Sequence, residues 1–204
     1  MATLPTSLHD TRISDRTASS PLAEMLIARR STAPDALVAP GPSNTEIARI
    51  MGIALRVPDH GKLAPWRIVL IAGQAKARWV EALSMLAEQR PDASKARVGV
   101  RKLATAPLVA AVISSPFAGH KVPEWEQTLS AGAVAMNLLN GTTALGYGAN
   151  WLTGWHAYDS EALELLGIAP HERVAGIILI GSIADHATER ARGDAADVVS
   201  WLAP

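Results

Sequence analysis

Three apolar, β-branched runs set the strongest constraint on how this 204-residue chain can fold. Residues 67–72 (RIVLIA), 108–114 (LVAAVIS) and 174–180 (VAGIILI) each have the length and composition of a buried strand. They stand far apart in the chain, so tight hairpins cannot join them. The segments between them carry helical signals. Residues 21–29 read as a short helix with Leu22, Met25 and Leu26 on one face, Ser20 as its cap and Pro21 at its start. Ser43 and Glu46 form a capping-box pattern for a helix running to about Arg56, with Ile47, Ile50, Met51 and Ala54 inward. Further helices are expected over residues 76–89, 126–145 and 160–166, the second ending at Gly146. Residues 149–152 are a candidate fourth strand. Loops are expected at 31–42 and 57–65, where proline and glycine cluster. Residues 181–204 are polar and close on a short apolar segment, 198–202. Helices set among well-separated strands imply an α+β layered fold. One domain is expected over residues 21–204, after a loose, Ser/Thr-rich tail at 1–20.

Composition removes several classes of chemistry. Nineteen basic residues balance nineteen acidic ones, so no net field draws the whole chain to nucleic acid or an anionic membrane. Any anion site must be local. The chain has no cysteine, which excludes disulfides, thiolate metal sites and a thiol nucleophile. No apolar run approaches the ~20 residues of a membrane span. Residues 1–20 lack the apolar centre of a secretory signal, and a cytoplasmic protein is expected. No G-x-G-x-x-G follows a strand, and no P-loop, H-E-x-x-H or G-x-S-x-G occurs. The six histidines form no ligand-spaced pairs, and no metal site is expected.

Three segments are hard to explain as scaffold. Arg29-Arg30-Ser31 places two guanidiniums and a hydroxyl at a helix end, a good phosphate clamp because arginine offers planar, bidentate donors. The plainer alternative is that basic residues favour helix C-termini through the macrodipole. Residues 56–67 (RVPDHGKLAPWR) form a polar, proline-pinned loop leading into a strand. Such loops carry function disproportionately, though Asp59 and His60 can equally be bonded within a surface turn. Residues 146–155 (GYGANWLTGW) combine glycines, which let backbone approach a planar ligand, with flat tryptophans. A tight turn with core tryptophans accounts for the same pattern.

The succession LIARRS (26–31), RVPDHGKLAPWR (56–67), HKVPEWEQTLSAGAVAMNLL (120–139) and ALGYGANWLTG (144–154) resembles the nitroreductase family, and most of all its small YdjA-like branch. The resemblance spans about residues 22–200. It implies an α+β sandwich with a central mixed β-sheet flanked by helices, forming a homodimer with FMN at the interface. By that resemblance Arg29, Arg30 and Ser31 match phosphate and ribityl contacts, and Arg56 and His60 match further FMN contacts. Trp151, Leu152 and Thr153 match the segment passing near the flavin from the other subunit. Arg192, or else Arg190, resembles the basic residue that completes the phosphate site. The chain departs from the family at Asp59, Lys62 and Ala64, where many members carry Ser, Asn and Gln. The departure removes a possible amide contact to the flavin ring.

The expected activity is FMN-dependent reduction of a nitroaromatic, quinone or similar acceptor, with NAD(P)H as co-substrate in a ping-pong scheme. Arg56 and Lys62 are candidates for stabilising negative charge on the ring. No side chain is nominated as an acid–base catalyst. The competing expectations are a non-catalytic or flavin-handling FMN protein on the same fold, and a structural module whose arginines merely satisfy helix ends.

Overall fold

A computed structural model describes residues 20–185 and 187–202; most of the expected tail (1–19), His186 and the last two residues lie outside the described residues. Contacts group the chain into two compact units, residues 31–187 and a smaller unit of residues 1–30 with 188–204. No helix among the described residues is long and apolar enough to cross a membrane.

The larger unit is built on the strands anticipated from composition: β2 (Trp66–Ala72), β3 (Leu108–Ser114), β4 (Gly148–Leu152) and β5 (Arg173–Ile183), with a two-residue β1 (Leu37–Val38) paired to the end of β5. β5 is the centre of the sheet. Ile178 faces Ala110 of β3 on one side and Trp151 of β4 on the other. Every ladder among the described residues is antiparallel, so the expected mixed sheet is corrected to an antiparallel one. The reason is topological. β3 and β4 both oppose β5 and therefore run parallel to each other, joined by the helix α5 (Glu124–Ala144). A β–helix–β crossover is thus present, but β5 is inserted between its two strands.

Strand alternation divides the core into two layers. Val109, Ala111, Ile113, Ile177 and Leu179 face the layer of α3 (Gly73–Glu88) and α4 (Ala93–Thr105), meeting Trp79, Leu83, Val100 and Leu103. Leu108, Ala110, Val112, Ile178 and Ile180 face α2 (Asn44–Ala54) and α5, meeting Ile50, Ala54, Val134 and Leu138. β3 is buried along its whole length, which is why its sequence is apolar rather than alternating. A Cβ at Gly141 would lie 3.2 Å from the Ile53 side chain, so glycine there permits α2 and α5 to pack closely.

Local signals are obeyed. Ser43 and Glu46 close a capping box on α2, and Gly146 adopts φ 84° just after α5. α4 has no counterpart among the expected helices. Its buried stripe, Ala96, Val100 and Leu103, has helical spacing but is one residue wide, among Lys95, Arg97, Arg101 and Lys102. Lys76 donates to the carbonyls of Ala104 and Ala106 at its C-terminal end, and burial lowers the Lys76 pKa. The loop expected at 31–42 contains β1 and a 3-10 turn at Pro34–Ala36. α6 (Ser160–Glu164) leads towards β5, and Asp159 caps it by accepting from the Ala162 N–H.

The smaller unit contains α1 (Pro21–Ala28), with Pro21 at its first position and the Ser20 hydroxyl accepting from the Ala23 N–H at 3.2 Å. The other helix among its described residues is the single turn α7 (Ala195–Val198), capped by Asp194.

Candidate cofactor site

In the larger unit the loop at residues 56–66 is held by polar side chains of α5. Asn137 Nδ2 donates to the Arg56 carbonyl at 2.8 Å. Ser130 Oγ donates to the Pro58 carbonyl at 2.8 Å and accepts from Trp66 Nε1 at 3.1 Å, closing the two ends of the loop with one hydroxyl. Glu126 Oε2 lies 2.7 Å from His60 Nδ1. Gln127, buried, accepts from the Phe117 N–H at 2.8 Å and donates to the Val122 carbonyl at 3.0 Å, fixing the segment before α5.

The loop is also bonded internally. Asp59 accepts from the N–H groups of Leu63 (3.1 Å) and Ala64 (2.8 Å). Around that carboxylate Gly61, Lys62 and Ala64 take φ of 78°, 57° and 47°. Two non-glycine residues in the left-handed region are a cost that a surrounding network must hold in place. Asp59, one of the departures from the family pattern, is therefore the internal cap of this turn. Arg56, His60 and Lys62 remain exposed on the loop.

A second group forms around β4. The Thr32 N–H donates to the Ala149 carbonyl at 2.9 Å, and Asn150 Nδ2 donates to the Thr32 carbonyl at 2.7 Å. These bonds set exposed Ser31 beside the strand that carries Trp151 and Leu152 and precedes Thr153. The Trp151 indole lies over Gly176 of β5, where any Cβ would collide with it. Leu152 and Thr153 line a cavity of about 220 Å³ with Pro34, Gly99, Lys102 and His156. Burial lowers the His156 pKa from 6.5 to about 4, so the ring is neutral at pH 7. Neither ring nitrogen has a hydrogen-bond partner among the described residues. Trp155 beside it donates to the Ala96 carbonyl at 3.2 Å, under the Arg90 guanidinium 4.7 Å from the ring centre.

The smaller unit gathers arginines. Glu189 pairs with Arg30 and lies 3.4 Å from Arg192, while it also accepts from the Arg190 N–H at 2.9 Å. Burial, then Arg192, Arg30 and Arg190, depress the Arg29 pKa. Both Arg190 and Arg192 thus crowd Arg29, Arg192 the more strongly. Two of these four guanidiniums, those of Arg30 and Arg192, reach the Glu189 carboxylate, and Arg29 and Arg190 add like charge beside them. That donor set suits a multiply charged anion such as a phosphate monoester.

The expected site residues therefore fall into three groups: Arg29, Arg30 and Arg192; Ser31 with Trp151, Leu152 and Thr153; and Arg56 with His60. The residues that sequence reasoning left without a role are Glu126, Gln127, Ser130 and Asn137. The available signal was their polarity at spacings of one, three and seven on a helix otherwise rich in small apolar residues.

A model described as the nitroreductase family matches residues 27–182. The chain is 30% identical to the "Putative NAD(P)H nitroreductase YdjA" of Escherichia coli K12, over 78% of this chain and 86% of that protein. A relative from Haemophilus influenzae, similarly named, is 29% identical over 81% of this chain and 92% of its own length. Among solved structures, a nitroreductase-like family protein from Bacillus cereus superposes with a TM-score of 0.77 at 20% identity, covering 92% of this chain and 98% of that one. A nitroreductase with bound FMN from Bacteroides fragilis gives 0.68 at 17% identity, covering 90% and 100%.

Proposed function

Because the chain belongs to the nitroreductase family of oxidoreductases, we propose that it binds FMN and uses NAD(P)H to reduce a nitroaromatic, quinone or similar electrophilic acceptor, working as a cytoplasmic homodimer. The observation that carries the reading is the arginine cluster of the smaller unit, where Arg30, Arg190 and Arg192 crowd Arg29 and Glu189 pairs with two of the four. When bound, FMN supplies the redox chemistry, taking hydride from NAD(P)H and passing electrons to the acceptor in a ping-pong scheme.

The chain's own task is to bind and orient. Arg29, Arg30 and Arg192 are assigned to the phosphate, with Arg190 adding to the local positive charge. Ser31, Arg56, His60, Trp151, Leu152 and Thr153 of the larger unit are assigned to the remainder of the cofactor. Arg56 and Lys62 supply positive charge where the ring accumulates electrons. Asp59, Ser130 and Asn137 hold the loop so that no ordering cost falls at the moment of binding. The dimer is supported by α5, which exposes Trp125 (69%), Leu129 (53%) and Met136 on neighbouring turns.

The test is a visible spectrum of the purified protein with FMN, followed by anaerobic NADPH or NADH. A bound flavin band that bleaches promptly and returns with an acceptor is expected. A bound band that stays oxidised turns the reading to a flavin-handling protein. No binding of FMN removes it altogether.

A further inference from the structure

Four side chains of α5 hold the loop at residues 56–66 or the segment preceding the helix, and three of them, Gln127, Ser130 and Asn137, hold backbone groups. Ser130 also accepts from the Trp66 indole, and Glu126 holds only a side chain, that of His60. Its Oε2 stands 2.7 Å from His60 Nδ1, while the His60 side chain is otherwise 64% exposed. An ionised carboxylate only accepts hydrogen bonds, so the contact requires the proton of a neutral ring to sit on Nδ1. Nε2 is then left as a lone pair facing outward. Without such a partner, a histidine in water favours the opposite tautomer, with its proton on Nε2. The carboxylate thus determines whether the exposed edge of His60 accepts or donates.

Resting on the proposed FMN site, we propose that Glu126 is a positioning residue that pins His60 in the Nδ1–H tautomer, so that Nε2 accepts a hydrogen bond from the bound cofactor. The groups that can meet it are an N–H of the isoalloxazine ring or a ribityl hydroxyl. Oxidised isoalloxazine offers one N–H, at N3, beside acceptor oxygens. An acceptor at His60 therefore reads ring orientation, which a donor in the same place would read the opposite way. The arrangement depends on the strained turn at Gly61–Ala64, because the φ values there set where the His60 ring emerges.

The decisive experiment uses the full chain with ¹⁵N-labelled histidine at a pH above the ordinary histidine range. Long-range ¹H–¹⁵N correlation should give His60 a protonated Nδ1 and an unprotonated Nε2. Glu126→Ala should move proton density to Nε2 and weaken FMN binding by roughly two- to tenfold, the equivalent of one hydrogen bond. Glu124→Ala, which removes the other first-turn acid of the same helix, should leave both readouts unchanged, separating the effect from the helix dipole. A wild-type His60 protonated on Nε2, or a Glu126→Ala protein binding FMN as tightly as Glu124→Ala, overturns the inference. If the wild-type protein binds no FMN, the proposed function fails by itself, and the tautomer spectrum still reports whether Glu126 sets the ring.

Discussion

The loop at residues 56–66 and the arginine group of the smaller unit hold their side chains by opposite means. The loop is fixed by directional bonds: Asp59 to two amides, Ser130 to Pro58 and Trp66, Asn137 to Arg56. The arginines are held in a crowd of like charge that Glu189 relieves through Arg30 and Arg192. The first arrangement restricts angle and costs backbone strain at Lys62 and Ala64. The second supplies attraction with little angular demand. Orienting a flat ring calls for the first kind of hold, and neutralising a phosphate for the second.

Acid should separate the two regions most sharply. In the folded larger unit His156 has its pKa lowered by burial from 6.5 to about 4. The unfolded chain therefore binds a proton that the folded one refuses. Stability from the neutral ring is complete above pH 6.5 and falls as pH drops towards 4, by about 3 kcal/mol. His156→Leu should flatten that part of a pH series of thermal melts, and an unchanged slope would break the assignment. Glu172, drawn to about 2 first by its hydrogen bonds from Arg67, acts in a lower window: its contribution is present above pH 4.5 and lost as pH falls towards 2.

Arg29→Ala comes next. Losing one charged hydrogen bond should weaken FMN binding by roughly 10- to 100-fold, with a smaller gap at high salt. Fluorescence titration at two ionic strengths checks this, and wild-type affinity in the variant would remove Arg29 from the phosphate site. Ser130→Ala should act on the loop instead, leaving Trp66 Nε1 and the Pro58 carbonyl without their partner and costing about 1–3 kcal/mol. Its melting temperature should fall by several degrees, and its FMN affinity should fall without added salt sensitivity. The smallest effect is expected from Glu189→Gln. Removing this carboxylate from the cluster should tighten FMN binding by about two- to fivefold, the scale of an exposed ion pair; weaker binding would mean that Glu189 aligns the arginines rather than competing for them.

What could be read beforehand was what is encoded locally. Ser20 with Pro21, and Ser43 with Glu46, are caps whose partners sit three residues away. LVAAVIS is legible as a strand because burial on both faces demands apolar residues throughout, and RIVLIA, half-buried beside it, is legible by its β-branched composition. The position of β5 between β3 and β4 was not legible, because pairing order is decided across the sheet and by no single segment. α4 escaped because its apolar stripe is thin, only Ala96, Val100 and Leu103 among charged neighbours. The clamp on the candidate site was hidden for a related reason. Ser130 and Asn137 look like ordinary helical polar residues until a loop more than 70 positions earlier supplies carbonyls for them. The arginines were visible as a motif, but their shared carboxylate, Glu189, had no signal beyond its charge.

The collision that would meet any Cβ at Gly176 bears on how this chain can change. The indole of Trp151 occupies the space a side chain would need, so position 176 cannot drift alone: a larger residue there is admitted only with a smaller one at 151. Substitution at these two sites is therefore coupled in lineages that keep the sheet. A relative carrying a side chain at 176 is expected to have abandoned tryptophan at 151, and with it the flat surface this segment presents.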